Sequence, residues 1–348
     1  MTLFKKLSAA SFAVIVAALF TLFATSCTTN EQATSEEANS ENTKISFVLD
    51  YVPNTNHTGV YVAQALGYYA EEGLDVEIIQ PPESGTRAMV GSGKAQFGVS
   101  EQDGIAGNLA SENPVPITAI AAIIQHNTSG IMSRAEDGIT SPAKMAHHVY
   151  ATWDWPVEQE TVRTVVEADG GNYEDIEMVP YAVDDDLAGL KANMFDAVWV
   201  FEGWACQAAK VQNYDYNYWA FADYSDELDF YTPTIVANND FLESDPETVK
   251  AFLRATAKGY EYAVTHPDEA ADLLVESVPE LDSALVHESQ KFLADKYIAD
   301  ASQWGIFDED RWAAYFNWLN EKELLEKKLD TTAGFSNDYL PTDTTDAK

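Results

Sequence analysis

The chain of 348 residues carries 57 acidic and 20 basic residues, which gives a net charge of -37 at pH 7. Nucleic acid is therefore a poor partner, because its phosphates repel such a surface. Only five of the basic residues are arginine, the residue that sites for sulfonate, nitrate or phosphate usually employ, so an anionic ligand is disfavoured. We interpret Arg87 as an exposed surface residue, with anion binding as the alternative.

The first 26 residues form a predicted signal peptide. Lys5 and Lys6 precede an apolar run over residues 9–24 that is too short to span a membrane comfortably. The run leads through small residues to Cys27 and so resembles a bacterial lipobox, in which the cysteine is lipidated and becomes the new N-terminus. Ala24 replaces the leucine of the consensus. An uncleaved anchor that ends in a lone cysteine is the alternative.

The region after Cys27 is polar, acidic and almost free of apolar residues, so we predict a disordered tether over residues 27–43. The protein is then expected outside the cytoplasm, lipid-anchored to the outer face of the cell membrane or held in the periplasm. Once Cys27 is lipidated, Cys206 has no partner for a disulfide, and cysteine metal clusters are excluded. We predict that Cys206 is a small buried residue and that the protein has no metal site.

Strands and helices alternate through the first part of the mature chain. The predicted strands are 45–49, 76–79, 96–99 and 117–124, and the predicted helices are 61–72, 86–92 and 103–111. The alternation then starts afresh, with strands at 131–132, 149–151, 177–180 and 197–201 and helices at 159–168 and 187–193. A strand at 234–237 is expected to return to the first series. Helices follow at 248–266, 267–275, 285–295 and 310–319.

This order of elements predicts an α/β fold with two lobes, each a mixed, mainly parallel sheet flanked by helices. Lobe 1 is assigned to residues 44–128 and 234–340, including the C-terminal helices, and lobe 2 to residues 129–233. A polar tail covers residues 341–348. Since the chain crosses between the lobes twice, we expect a hinged cleft where the strand ends of both lobes meet.

Polar and aromatic residues follow the predicted strands, at the positions where open α/β sheets bind ligands. The candidate ligand-binding residues are Tyr51, Asn54, His57, Gln102, Ser129, Trp153, Trp155, Trp199, Glu202 and Tyr231. Aromatic faces among neutral donors and acceptors suit a planar, uncharged heterocycle better than a phosphate or a metal. Two indoles in one loop favour a stacked ligand, with at least one of them packing beneath the loop. No second histidine lies at ligand spacing from His57, so we predict a hydrogen-bonding or loop-packing role for it.

Glu202 follows the apolar strand AVWVF, so its carboxylate is expected at the mouth of the second lobe. A carboxylate there can accept a hydrogen bond from an exocyclic amine and share a proton with a ring nitrogen, which is the edge that a 4-aminopyrimidine presents. Partial burial beside Trp199 and Trp204 would raise its pKa. A solvated glutamate in an acid-rich protein is the alternative.

Three segments resemble ABC-transporter substrate-binding proteins of the thiamine-pyrimidine type. They are LDYVPNTNHTGVYVAQALGYYAEEGLDVEI from Leu49, GSGKAQFGVS from Gly91, and TPTIVANNDFLESDPETVKAFLRATAKGYEYAVTHPDEAADLL from Thr232. The likeness covers residues 44–274. It implies a periplasmic-binding-protein type II fold and the import of hydroxymethylpyrimidine or formylated aminomethylpyrimidine for thiamine biosynthesis.

The resemblance also implies pyrimidine contacts from Tyr51, Asn54 and His57 in the first loop and from Glu202 in the second lobe. The family commonly has tryptophan where this chain has Tyr51. A smaller ring with a hydroxyl leaves riboflavin, or another flavin-like solute, as the alternative ligand within the binding class. A sulfonate or nitrate binder is the third possibility, and it is disfavoured by the shortage of arginine.

One enzyme shares this fold, the pyrimidine phosphate synthase that consumes its own active-site histidine and uses pyridoxal phosphate. It resembles this chain in the first loop but also needs an active-site lysine and a cysteine-rich run. Here GVSEQDG follows GSGKAQF with neither lysine nor histidine, and no cysteine run exists. We therefore predict a protein that is not an enzyme and uses no cofactor.

The sequence thus predicts a monomeric, lipid-anchored receptor for a small aromatic heterocycle. Closure of the lobes would bury the solute between indole and phenol rings, with Glu202 pairing its amino edge. The closed form would present both lobes to an ABC permease driven by a cytoplasmic ATPase, with no covalent step.

Overall fold

The computed structural model describes residues 42–183 and 185–342. The predicted signal peptide, the lipidation site at Cys27, most of the tether and residues 343–348 of the tail lie outside the described residues. None of the described helices is both long enough and apolar enough to cross a membrane. The described residues belong to one compact unit, and the boundaries of the two lobes stay a prediction.

Sheet A has five strands, Thr43–Val48 (β1), Leu74–Ile79 (β2), Phe97–Ser100 (β3), Ile117–Ala122 (β4) and Thr234–Asn238 (β10). Their spatial order is β2–β1–β3–β10–β4. Strands β1, β2 and β3 pair in parallel, whereas β10 is antiparallel to both of its neighbours. Four of the five strands therefore point the same way.

Sheet B repeats this arrangement with Ser129–Arg134 (β5), Val149–Thr152 (β6), Glu177–Pro180 (β7), Ala197–Phe201 (β8) and Tyr216–Ala220 (β9). The order is β7–β6–β8–β5–β9, and β5 is the reversed strand. Strand β9 was not predicted from the sequence, and β5 is longer than predicted. The predicted fold class, two mixed and mainly parallel sheets flanked by helices, is confirmed.

Two segments connect the sheets. Crossing 1, residues 123–128, leads from β4 to β5, and crossing 2, residues 221–233, leads from β9 to β10. Strand β5 begins beside the end of β8, where Ser129 pairs with Phe201. Strand β10 begins beside the end of β3, where Thr234 pairs with Ser100. The carboxyl ends of the parallel strands of both sheets therefore adjoin the crossings, which is where α/β sheets bind ligands.

The α-helices of the described residues are Thr58–Ala65 (α1), Tyr68–Glu71 (α2), Thr86–Gly91 (α3), Gln102–Ala110 (α4), Pro156–Ala168 (α5), Asp186–Lys191 (α6), Gln207–Val211 (α7), Asn239–Ser244 (α8), Pro246–Thr265 (α9), Pro267–Ser277 (α10), Ser283–Ala294 (α11) and Glu309–Glu321 (α12). A π-helical turn, Glu202–Cys206, links β8 to α7. Cys206 is buried, as predicted.

Local sequence signals explain where these helices begin and end. The predicted helix over residues 61–72 is two helices, because Gly67 adopts a φ of 79°, a left-handed conformation that ends a helix. Helix α9 begins as predicted after Asp245, whose side chain accepts the N–H of Thr248 at 3.2 Å, with Pro246 in its first turn.

Helix α9 covers one face of sheet A with aromatic side chains. Phe252 stacks on Phe97 of β3 with ring centroids 4.0 Å apart, and Phe47 of β1 lies 5.8 Å from it. Helix α9 also approaches α1 closely, since a Cβ on Gly259 would lie 2.0 Å from the carbonyl oxygen of Gly59. This dense packing gives β1 and β3, whose ends carry candidate site residues, a rigid support.

Candidate functional site

Four aromatic residues gather at the carboxyl end of sheet B, and we call Trp153, Trp155, Tyr181 and Trp199 the aromatic patch. Trp153 is at its centre, with its ring centroid 5.9 Å from those of Trp155 and Tyr181 and 5.5 Å from that of Trp199. Trp199 is buried and Trp153 partly buried, whereas Trp155 is 60% exposed. One indole of the loop therefore packs, as predicted, and the other is open to a stacking partner.

A buried carboxylate holds the loop that carries both tryptophans. Glu158 on α5 accepts hydrogen bonds from Tyr150 Oη at 2.5 Å and Thr152 Oγ1 at 2.7 Å. The backbones of Trp153 and Trp155 also act on this carboxylate. Burial raises the pKa of Glu158, and these hydrogen bonds act in the opposite direction. The position of the loop thus depends on Glu158, a residue that was not among the predicted site residues.

Ser129 brings a polar group to the same face of sheet B as Trp199. In the β5–β8 pairing Ser129 lies opposite Phe201, and Ile131 lies opposite Trp199, so the side chains of Ser129 and Trp199 are diagonal neighbours. Within the described residues, Ser129 Oγ and Trp199 Nε1 are buried without a hydrogen-bond partner. A buried hydroxyl and a buried indole N–H therefore lie at the patch with unused hydrogen-bonding capacity.

His57 orders the first loop of sheet A. Its imidazole is buried, Nε2 lies 2.8 Å from Asp50 Oδ1, and Nδ1 accepts the backbone N–H of Asn54 at 3.2 Å. The side chain of Asn54 in turn accepts the N–H of Asn56 at 2.9 Å, which completes a capping box. Both ring nitrogens of His57 are therefore engaged within the protein, and the residue acts through the loop.

Tyr51 projects from this ordered loop and is 61% exposed. In the aromatic patch, the hydroxyl of Tyr181 donates to Asp186 Oδ1 at 2.7 Å, and burial, followed by this hydrogen bond and the charge of Asp186, raises the pKa of Tyr181. The carboxyl end of each sheet therefore carries an exposed aromatic ring, Tyr51 in sheet A and Trp155 in sheet B.

Three ionic residues lie at the carboxyl end of sheet A, and we call Asp50, Arg87 and Glu101 the polar edge. They were not among the predicted binding residues. Arg87 Nη1 donates to Glu101 Oε2 at 3.0 Å. Burial, followed by the charges of Asp103 and Asp50, raises the pKa of Glu101 to about 8. Its side chain is nevertheless 34% exposed, so this carboxyl lies in a recess that solvent reaches. Asp50 and Glu101 meet because β1 and β3 are neighbours, a spatial order that sequence spacing does not reveal.

Glu202 follows β8 and is tied to crossing 1, since its backbone N–H donates to the carbonyl of Thr128 at 2.9 Å. Partial burial raises the pKa of Glu202, whereas the charges of Lys210 and Lys296 lower it. The raised pKa agrees with the sequence-based expectation. Among the described residues none donates a hydrogen bond to its carboxylate, so the group is free to pair with a ligand.

Gln102 and Tyr231 lie together, but their polar groups are engaged inside the protein. Gln102 Oε1 accepts the N–H of Tyr231, and its Nε2 donates to the carbonyl of Trp312, both at 2.9 Å. Tyr231 is buried, and its hydroxyl accepts the N–H of Asp308 at 2.7 Å. These contacts join crossing 2 to α4 and α12, so the two residues support the site instead of facing a solute.

His126 ties crossing 1 to two other segments. Its Nδ1 lies 2.6 Å from Asp229 Oδ2 on crossing 2, and its Nε2 lies 2.9 Å from Asp300 Oδ1, between α11 and α12. The hydrogen bond to Asp229 is the largest influence and raises the pKa of His126, and the hydrogen bond to His126 lowers the pKa of Asp300. Both crossings are thus linked by an ionisable cluster.

A groove of about 680 Å³ lies away from these residues, beside strand β2, and its lining includes Lys44, Tyr61, Ile78 and Glu280. It contains none of the candidate residues, and Tyr61 is the one aromatic side chain among the residues that line it. Within the part of the chain that the structure describes, no group of three or more His, Cys, Asp or Glu side chains is placed to hold a metal ion.

The two similar sheets and the double crossing form a fold that this chain shares with solved solute-binding proteins. The fold is that of the alkanesulfonate-binding protein SsuA from Xanthomonas axonopodis pv. citri bound to MOPS, with a TM-score of 0.65. The match covers 85% of this chain and 99% of that one, at 10% sequence identity.

The chain belongs to the NMT1/THI5-like family, whose model matches residues 54–270. It is 29% identical to the formylaminopyrimidine-binding protein of Halalkalibacterium halodurans, over 94% of this chain and 98% of the relative. It is also 24% identical to 4-amino-5-hydroxymethyl-2-methylpyrimidine phosphate synthase THI11 of Saccharomyces cerevisiae, over 70% of this chain and 74% of the enzyme. The family resemblance inferred from the three sequence segments is confirmed.

Proposed function

We propose that this protein is the extracytoplasmic solute-binding component of an ABC importer and captures a thiamine pyrimidine precursor, hydroxymethylpyrimidine or N-formyl-aminomethylpyrimidine. The observation that carries this proposal is the exposed ring of Trp155 after β6 and the unpaired carboxylate of Glu202 after β8, at the carboxyl ends of two neighbouring parallel strands of sheet B. The likeness to the formylaminopyrimidine-binding protein along nearly the whole chain supports the same class of solute.

The chemistry of the site suits an aminopyrimidine. Stacking of a base-like ring on an aromatic side chain contributes about 1–3 kcal/mol, and Trp155 has most of its surface free for such a contact. A carboxylate whose pKa is raised by burial, as at Glu202, can accept from the exocyclic amine and share a proton with the adjacent ring nitrogen. Neither contact requires a charged ligand.

Capture outside the membrane requires an anchor and a transport partner. In this proposal Cys27 carries the lipid, residues 27–43 form the tether, and the protein acts as a monomer. Solute binding shifts the lobes towards a closed form that an ABC permease with a cytoplasmic ATPase recognises.

The proposal includes no chemical step, although the family contains synthases. A Schiff base with pyridoxal phosphate needs a lysine, and the residues at the end of β3 are Ser100, Glu101 and Gln102. Lys94 lies before β3, at the opposite end of that strand. The residues at the polar edge therefore do not fit that cofactor, and we assign a binding role alone.

A thermal-shift screen followed by calorimetric titration tests the function. The solutes are hydroxymethylpyrimidine, N-formyl-aminomethylpyrimidine, thiamine, riboflavin, taurine and nitrate. A solute at 100 times its Kd should stabilise the protein by about 2.7 kcal/mol through mass action. A rise in Tm with the two pyrimidines alone supports the proposal. A rise with riboflavin or taurine instead keeps the receptor role and rejects the pyrimidine as the solute.

A further inference from the structure

Arg87 is built into the carboxyl end of sheet A. It is the second residue of α3. The preceding residue, Thr86, fixes the start of that helix, because its hydroxyl donates to the carbonyl of Leu49 at 2.6 Å, just after β1. The guanidinium Nη1 donates to Ser100 Oγ at 3.2 Å and to Glu101 Oε2 at 3.0 Å, where β3 ends. Helix α3 is therefore fixed at the end of β1 by Thr86 and at the end of β3 by Arg87.

Gly104 makes room for this guanidinium. A Cβ at position 104 would lie 2.1 Å from Arg87 Nη1 and 2.7 Å from Arg87 Cζ, so any larger residue would displace the side chain. The guanidinium thus rests against the bare backbone of the first turn of α4.

The donors of Arg87 are only partly used. Its hydrogen bonds within the described residues all come from Nη1, and the side chain is 41% exposed. Burial, followed by the charges of Asp103 and Asp50, raises the pKa of its partner Glu101, which weakens this carboxyl as a counter-ion to the guanidinium. The polar edge therefore offers a cation with free N–H groups.

We propose that Arg87, held by Glu101 and the space above Gly104, binds the acceptor oxygen on the solute's side chain and makes the protein select the formylated pyrimidine over its free amine. This inference rests on the proposed function. A guanidinium forms charge-assisted hydrogen bonds with a carbonyl oxygen, whereas the ammonium group of the unformylated aminomethylpyrimidine would be repelled by it. Sheet B then supplies the ring contacts, and Arg87 identifies the substituent.

Calorimetric titration of the full chain with N-formyl-aminomethylpyrimidine and with aminomethylpyrimidine tests this role. Arg87→Met keeps the aliphatic stem and removes the donors and charge, and Arg87→Lys keeps the charge without the planar fork. The matched control is Arg254→Met, because Arg254 on α9 is similarly exposed and pairs with Glu72 at the end of α2.

We expect the wild-type chain to prefer the formylated solute. Arg87→Met should weaken binding of that solute about tenfold or more, as for loss of a charged hydrogen bond. The ratio of the two affinities should therefore shift towards the amine. Arg254→Met should leave the ratio of the two affinities as in wild type. Pyrimidine binding with an unchanged ratio in Arg87→Met overturns this inference alone. Failure of the wild-type chain to bind either pyrimidine overturns the proposed function as well.

The pH dependence of the same titration gives a second readout. The charged groups that act on Glu101 are Arg87 from α3, Asp50 after β1 and Asp103 on α4. As the pH rises through about 8, Glu101 ionises and neutralises Arg87, so the affinity of wild type for the formylated solute should fall. Glu101→Gln cannot ionise and should flatten this part of the profile. An equally steep fall in Glu101→Gln overturns the assigned partnership of Glu101 with Arg87.

Discussion

At the carboxyl end of sheet B the side chains that adjoin the crossings are mainly aromatic, whereas at the corresponding end of sheet A they are mainly ionic. The patch around Trp153 is held by the buried carboxylate of Glu158. The polar edge joins Arg87 to Glu101, with Asp50 bound to His57 beside it. Because both sheets have the same strand order, the difference comes from side chains alone.

The comparison shows how two sheets of the same topology can supply different kinds of ligand contact. An aromatic surface contributes contact area but little direction, since any flat ring stacks on it. Ionic groups in a recess contribute direction, because their hydrogen bonds require particular donors and acceptors. A neutral heterocycle with one polar substituent needs both, and the two sheets supply one each.

The largest effect is expected from the centre of the aromatic patch. Trp153→Ala removes the ring against which Trp155, Tyr181 and Trp199 pack, so Trp155 loses its support as a stacking surface, and we expect pyrimidine affinity to fall by about 3 kcal/mol, the upper end for a stacked ring. Calorimetric titration measures it, and Trp153→Phe should retain most of the affinity. If both variants bind like wild type, sheet B is not the stacking surface and the comparison fails.

Glu202 is a polar residue at the mainly aromatic carboxyl end of sheet B, and replacing it should have the next largest effect on affinity. Glu202→Ala should cost about 2 kcal/mol of affinity, because a charge-assisted hydrogen bond is lost and the ligand amine is left unpaired. A pyrimidine analogue without the 4-amino group should show little difference between wild type and variant in the same titration. Near-unchanged affinity for every aminopyrimidine would remove Glu202 from the site.

The first loop of sheet A should respond in stability. Asn54→Ala breaks the capping box with His57, and we expect the free energy of unfolding to fall by about 1 kcal/mol, measured by denaturant titration. Asn172→Ala, which removes a comparable cap from the short helix Tyr173–Asp175, is the matched control. Solute affinity should weaken in Asn54→Ala only, and an equal loss in both variants would show that the loop does not shape the site.

The smallest effect concerns the crossings and depends on pH. The pKa of His126 is raised in the folded protein, so its contribution to stability is full below its ordinary value near 6.5 and disappears as the pH rises through the folded value. The lowered pKa of Asp300 adds a contribution that is present above about 3.8 and lost as the pH falls further.

His126→Gln should therefore lower Tm most between pH 4.5 and 6, roughly the window those two pKa directions define, and hardly at all at pH 9. Differential scanning calorimetry at a series of pH values measures this. Since His126 and Asp300 are partly or fully exposed, we expect a modest shift. A Tm difference that is constant across the series would contradict the ionic role of the cluster.

Much of the fold follows from the sequence because its signals are local. Asp245 and Pro246 mark the start of α9, and Pro267 starts α10 next to its end. The strand β9 was missed because Tyr216–Ala220 does not alternate apolar and polar residues clearly. Gly67 was a readable signal that a helix would end there, and its flanking apolar residues hid it.

The site was predictable in part for the same reason. The aromatic patch could be predicted because Trp153 and Trp155 follow one strand directly. The polar edge could not, because Arg87 and Glu101 come from different elements and meet only through the order β1–β3 in the sheet. The internal roles of Gln102 and Tyr231 also depend on a tertiary contact, between crossing 2 and α4.

The reversed strands have a consequence for how the chain assembles as it emerges N-terminus first. All five strands of sheet B lie within residues 129–220, whereas β10 of sheet A comes from residues 234–238 and lies between β3 and β4. Until β10 has been made, β4 has no neighbour in its sheet. The sheet that begins first in the chain is therefore completed last, and a chain that stops before residue 234 can finish only the second sheet.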